Sequence, residues 1–256
     1  MTITKIHTDS DFVKLRKLIV NDFVDSINIQ ANAPSVQTSD TRDLWPLNSY
    51  YKFPETGTLL NIYSDNANDA SGGTGATQLV VIGLDENLDN ISEVVILNGV
   101  TPVQTASSFF RVNRFFVIGA GTSQQNEGTI TIESNDTSDP LGIIQPGYSE
   151  GSQGIYTLGK DYREAWIQSI HFRAQKRQAS LGEARLKVRG IHGGVPTPWQ
   201  TKFLFTSHTA GASDGFNYTL PLVGPLPTSS EFKLEIDSVD TNDTGLFANV
   251  QIILIR

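Results

Sequence analysis

Along the middle of the chain, apolar residues come in short dense runs separated by connections too polar to bury. Residues 78–82 and 93–97 are crowded with β-branched side chains, which suit a pleated, half-buried surface. Between them Asp85, Glu86, Asn87, Asp89 and Asn90 form a polar link, and Asn98-Gly99 supplies residues that tolerate positive φ in a tight turn. Residues 109–118 differ from their neighbours. Phe110, Val112, Phe115, Phe116, Val117 and Ile118 leave neither side of a strand suited to water, so the pattern predicts a strand lying under another layer. Residues 58–63 and 128–133 complete a series of five strands, and the small polar stretch 66–75 reads as a surface loop.

Beyond Pro146-Gly147 and the Gly/Ser-rich run that follows, alternation is clearer. Trp166, Ile170 and Phe172 are expected to share one strand face. Ala184, Leu186 and Val188 alternate with Arg185, Lys187 and Arg189, and Phe232, Leu234 and Ile236 alternate with Lys233, Glu235 and Asp237. Residues 248–255 are almost wholly apolar, which predicts a central strand. No stretch alternates strand with helix, so the expected class is all-β, with two β-sandwich domains of jelly-roll type.

The amino-terminal part reads differently. Phe12, Leu15, Ile19 and Phe23 recur at helical spacing over residues 11–23, with Ser10 as N-cap and Asp11 at the positive end of the helix. That stripe either packs on its own domain or docks on a neighbouring subunit. Residues 28–49 lack clear periodicity and read as an irregular linker or contact arm. The expected organisation is a helix and extended arm over 1–49, a first β domain over 50–147 and a second over 148–256.

Several short sequences in the first β domain resemble a module of virion structural proteins of tailed phages, especially marine ones. They are Gly83-Leu84-Asp85, Ile91-Ser92-Glu93, Leu97-Asn98-Gly99, Arg111-Val112-Asn113-Arg114 and Gly128-Thr129-Ile130-Thr131-Ile132. The resemblance covers roughly a quarter of the chain. It implies a capsid decoration (cement) or fibre-type subunit that assembles with phage capsid or tail proteins. It further implies a homo-oligomer, a trimer in the family's usual form, located in the virion after assembly in the host cytoplasm. A tail or baseplate component and a host-glycan-binding module are the alternatives. The resemblance transfers no catalytic residue and no cofactor.

Composition narrows the chemistry. There are no cysteines, which removes disulfides and thiolate metal sites and suits a reducing cytoplasm. No apolar run approaches the ~20 residues of a membrane-spanning helix, and the first residues lack a signal-peptide pattern, so a soluble, unprocessed chain is expected. The net charge of −8 argues against nucleic acid as a partner, yet residues 160–202 carry about +6. Arg173, Lys176, Arg177, Arg185, Lys187 and Arg189 are therefore candidates for an electrostatic contact with an acidic partner, set against the plainer reading of a solvated strand face.

Catalytic motifs are sparse. Gly147-Tyr148-Ser149-Glu150-Gly151 matches the nucleophile-elbow pattern, but Pro146 before it and Ser152-Gln153-Gly154 after it do not supply a strand turning into a helix. The four histidines fall at no metal-ligand spacing. Asp85/Asn87/Asp89, Asn135/Asp136/Asp139 and Asp237/Asp240/Asn242/Asp243 offer oxygen ligands of the kind calcium takes, although none completes an EF-hand loop and turn formation explains them as well. Trp166 and Trp199 are expected to be covered, and Trp45 to lie in the arm. The expected protein is not an enzyme.

Overall fold

The computed structural model describes residues 24–175, 180–192, 195–209 and 215–256. The amphipathic stripe of Phe12, Leu15, Ile19 and Phe23 lies outside them. Every regular element among the described residues is a strand, and the strand pairings within each unit are antiparallel. The chain is all-β.

Strand β1 (Val24–Val36) opens a first unit, made of the described residues up to Trp45 together with those from Leu158 to Arg256. The second unit, Pro46–Thr157, is inserted between them. It contains β2 (Leu60–Ser64), β3 (Ala76–Leu84), β4 (Asn90–Ile96) and β5 (Val103–Gln104). After these come β6 (Arg111–Ala120), β7 (Ile130–Ser134), β8 (Pro140–Ile144) and β9 (Ile155–Thr157). The chain then re-enters the first unit with β10 (Glu164–Gln175), β11 (Ser180–His192), β12 (Val195–Pro196) and β13 (Gln200–Thr209). It finishes with β14 (Gly215–Pro227), β15 (Ser230–Val239) and β16 (Thr244–Ile255).

In the first unit one sheet has the order β1-β16-β10-β14, and in the other β11 pairs with β15 on one edge and with β12 and β13 on the other. Leu246, Ala248, Val250 and Ile252 of β16 are buried on one side of the first sheet, level with Ile170, Phe172 and Ala174 of β10. Across from them stand Ala184, Leu186 and Val188 of β11 and Phe232, Leu234 and Ile236 of β15. Phe172 meets Phe205 of β13 at 6.3 Å between ring centres, and the Ser207 hydroxyl accepts the Ala174 N–H. Gly182 is needed at this contact, because a Cβ there would come within 2.5 Å of Leu246.

Two sequence expectations change here. Residues 28–36, read as the start of an irregular arm, are an edge strand instead, paired with β16 from Val24↔Ile255 through Val36↔Thr244. Ile29, Ala31 and Ala33 form its buried face. Alanine carries too little apolar area to stand out as a hydrophobic repeat, but against Ala248 and Leu246 a small side chain fits. Trp166 is buried, but not on the face of Ile170 and Phe172. The register of β10 shifts between Ile167 and Ser169, and this bulge turns Trp166 to the opposite side, where it packs with Ile253, Ile255 and Val24.

The second unit has a four-stranded sheet, β5-β2-β7-β8, and a three-stranded one, β4-β3-β6. Leu60, Ile62, Ile130 and Ile132 of the first and Leu79, Val81, Val95 and Phe115 of the second are buried. The Phe115 ring sits so close to Gly142 of β8 that a Cβ there would lie 2.5 Å from it. One fully buried carboxylate ties the loops at one end of these sheets together. Asp69 accepts hydrogen bonds from the Ser64 hydroxyl and from the N–H groups of Ala76, Glu127 and Gly128, all between 2.7 and 2.9 Å. Its own carbonyl accepts the Gly99 N–H. The polar stretch 66–75 is therefore ordered from within.

Replacing Asp69 with alanine would strand four buried donors, each costing about 1–3 kcal/mol when unpaired, less whatever water re-enters. The expected loss in Asp69→Ala is at least about 3 kcal/mol by urea unfolding. A change under about 1 kcal/mol would show that the network is dispensable.

Candidate interaction surfaces

Across the middle of β4-β3-β6 (residues 92–96, 78–82 and 114–117) the odd-numbered residues face inward and the even-numbered ones face away from the four-stranded sheet. Register shifts toward both ends of the β3–β6 pairing change the parity, so that Ala76, Leu84 and Val112 are buried too. The outward set is Ser92, Val94 and Ile96 on β4, Gln78, Val80 and Ile82 on β3, and Arg114, Phe116 and Ile118 on β6. Val94 is 54% exposed, Ile96 57% and Ile118 47%. Register places Val94, Val80 and Phe116 in one row across the sheet. Residues 149–151 run along the far edge of β6, and Tyr148, also exposed, adjoins them. Arg114 is the one charged member of the nine, and Glu150 neutralises it at 2.8 Å. The sheet thus presents a contiguous apolar face.

The outer face of the opposite sheet is unlike it. Asn61, Gln104 and Asn135 share hydrogen bonds there, and the Tyr63 hydroxyl donates to Glu133. Burial first, and then the neighbouring Glu133 carboxylate, push the Tyr63 hydroxyl above its ordinary pKa. A polar outer face is the usual finish for an antiparallel sandwich, and only one of the two sheets has it.

The basic positions of the first unit have a different setting. Arg185, Lys187 and Arg189 do line one face of β11, and each meets a carboxylate of β15: Asp237, Glu235 and Glu231 respectively. Lys233 continues the ladder, pairing with Glu235 at 3.2 Å and with the buried Asp43 at 2.6 Å. The half-buried Trp199 ring lies 4.3 Å from the Arg189 guanidinium and 5.2 Å from the Lys233 ammonium. Arg173 stacks over Phe247 at 5.1 Å, while Lys176 and Arg177 lie outside the described residues. The acidic residues of β15, distant in sequence, supply the counter-charges that a local count of residues 160–202 misses.

Other candidate groups serve the backbone. Ser149 has φ +57° and follows Gly147 at +79°, its N–H donates to Asn126 and its carbonyl accepts from Val117. The segment borders a strand and leads into no helix. Asp85 accepts the N–H groups of Asn87 and Asp89 and so closes a turn, while Asp240 and Asn242 accept those of Leu181 and Thr38 and tie together segments far apart in the sequence. Among the described residues no three acidic or histidine side chains converge as a metal site would require. An open cleft of about 440 Å³ is lined by Phe53, Thr56, Ser134, Thr137 and the Lys52–Asp139 ion pair. Trp45 and Trp166 are fully buried and offer no ring for a sugar to stack on.

No family model matches the sequence, and no curated protein does. Among solved structures it is similar to the crystal structure of the infectious bursal disease virus VP2 subviral particle, at 13% identity over 91% of this chain and 72% of that one, with a TM-score of 0.26. The T13 viral particle of the same virus gives 12% identity, 91% and 69% coverage, and a TM-score of 0.27. Scores this low fix neither fold nor function.

Two outcomes follow from the charged groups. Lys233→Met leaves a carboxylate buried beside β15, so a loss of about 3–5 kcal/mol is expected by urea unfolding, with much of it recovered in the Lys233→Met/Asp43→Asn double variant. The second concerns Glu93 on β4. Burial alone would raise its pKa, but the N–H groups of Ala106 and Ser107, each at 2.8 Å, outweigh that and hold it below the ordinary glutamate value. A lowered folded pKa means a contribution that is complete above about pH 4.3 and lost as pH falls through the folded value. Glu93→Gln is expected to flatten that part of the stability curve below about pH 4.3, and an unchanged slope there would remove Glu93 as its source.

Proposed function

We propose that the chain is a non-enzymatic structural subunit of a tailed-phage virion, of the capsid decoration (cement) or fibre type, which binds the particle and self-assembles. The observation carrying this reading is the open apolar face of β4-β3-β6 in a protein whose other prominent polar groups are engaged in holding the fold together. Such a face favours a protein partner over water.

The residues that resemble the phage module have roles of this kind. Asp85 closes the β3–β4 turn, Glu93 holds residues 106 and 107, and Asn98-Gly99 turns beside Asp69. Arg111 packs against the Phe110 and Phe53 rings and donates to the Pro54 carbonyl, while Asn113 bonds the backbone of Thr157 in both directions. These side chains serve the framework: each is bonded or packed to hold backbone in place. The partners are phage capsid or tail proteins and further copies of the chain. A tail or baseplate position stands as the alternative within the same class, and a host-glycan module as the alternative outside it, with the cleft at Lys52 and Asp139 as its place.

Immunogold labelling and mass spectrometry of purified particles test the reading. The expected result is labelling of the head surface or a fibre, with multiple copies per particle. Purified protein is expected to be inert toward ester, glycoside and nucleotide substrates, with Ser149→Ala indistinguishable from the parent. Hydrolysis that disappears in Ser149→Ala, or absence of the chain from particles, would overturn the proposal.

A further inference from the structure

We infer that the outer face of the β4-β3-β6 sheet is a self-association interface, on which the same face of a second copy packs about a two-fold axis. This rests on the reading of the chain as a self-assembling subunit and names the surface that does it.

The first ground is the composition of the strands. β3 and β6 are apolar on both sides, a pattern belonging to sheets covered by two layers. The four-stranded sheet covers the inner side, where Leu79, Val81 and Phe115 are buried. Within the second unit nothing comparable covers Val94, Ile96 and Ile118, each about half exposed. The missing layer has to come from elsewhere.

Charge and area identify the occupant. At a net −8, two copies repel over most of their surfaces. This face carries only the self-neutralised pair Arg114–Glu150, so two copies can meet here without opposing like charges. The largest apolar patch of an ordinary monomer covers roughly 300–600 Å². A specific interface needs about 1,000 Å² in total, so the whole of this face on each copy has to take part, with Gln78, Ser92 and Tyr148 at the rim. Geometry agrees, because sheets pack face to face about 10 Å apart by interdigitating alternate side chains. Val80 occupies the middle of the face, where self-packing brings a residue closest to its own copy. A patch that meets itself is isologous and demands a two-fold axis; a trimer would need two different complementary patches.

Sedimentation velocity on the full chain between about 1 and 100 μM tests this, a range that resolves micromolar dimers. A dimer is expected, and the Val94→Lys/Ile96→Lys variant should weaken it at least about 100-fold, since both side chains point outward and the fold survives, as circular dichroism will check. Asn61→Lys on the opposite sheet should leave it intact. The chain has no cysteine, so Val80→Cys provides a second readout: a bismaleimide spanning about 10 Å, the spacing of packed sheets and too long for a direct disulfide, should trap a covalent dimer, and Asn61→Cys should not. A monomer at 100 μM, or a dimer indifferent to Val94→Lys/Ile96→Lys, would overturn the inference. Particle-binding assays of the same proteins separate the two proposals. A dimer through this face that never enters particles refutes the virion role alone. A monomer whose particle binding disappears in Val94→Lys/Ile96→Lys assigns the face to another virion protein and refutes self-pairing alone.

Discussion

A strand that is apolar on both faces has to be covered twice, and in this protein that requirement organises the central unit. β3 and β6 place Leu79, Val81 and Phe115 against the four-stranded sheet and leave Val80, Ile82, Phe116 and Ile118 pointing away from it. Each buried Val, Ile or Phe side chain is worth about 1.5–3 kcal/mol relative to leaving it in water. An outward row of such residues is therefore stabilisation left uncollected by the chain on its own. The proposed association collects it.

Polar groups tell the complementary story. Asp69 sits among four donors, Arg111 between aromatic rings and carbonyls, and Asp43 beside Lys233, so these charged groups, which burial would otherwise penalise heavily, are satisfied locally. Such networks hold loops in one arrangement more than they add net stability, because desolvation offsets much of the pairing energy. The acidic loops work similarly: Asp85 closes its own turn, and Asp240 and Asn242 hold the distant Leu181 and Thr38 N–H groups.

Much of this architecture was legible in the residues alone. Period-two alternation placed β11 and β15, the unbroken apolar run placed β16 in the middle of its sheet, and the doubly apolar stretch at 109–118 marked β6 as needing two layers. These follow from local geometry, since a strand's two sides are set by residue parity and burial follows side-chain chemistry. What parity cannot carry is a shift of parity. The bulge at residues 167–169 reverses the side on which Trp166 lies, and it is recorded only in the pairing of β10 with β16.

The sequence by itself determined the class of fold and most strand positions, because each depends on neighbours along the chain. Tertiary structure decided everything that depends on neighbours across it. Only pairing with β16 makes a strand of the Ala-rich residues 28–36, where small side chains give too weak a signal alone. Only β15 turns the basic stripe of Arg185, Lys187 and Arg189 from a candidate electrostatic surface into a ladder of ion pairs. And only the stacking of two sheets shows which side of β4-β3-β6 remains open, because a residue's exposure is a property of what packs on it and not of the residue itself.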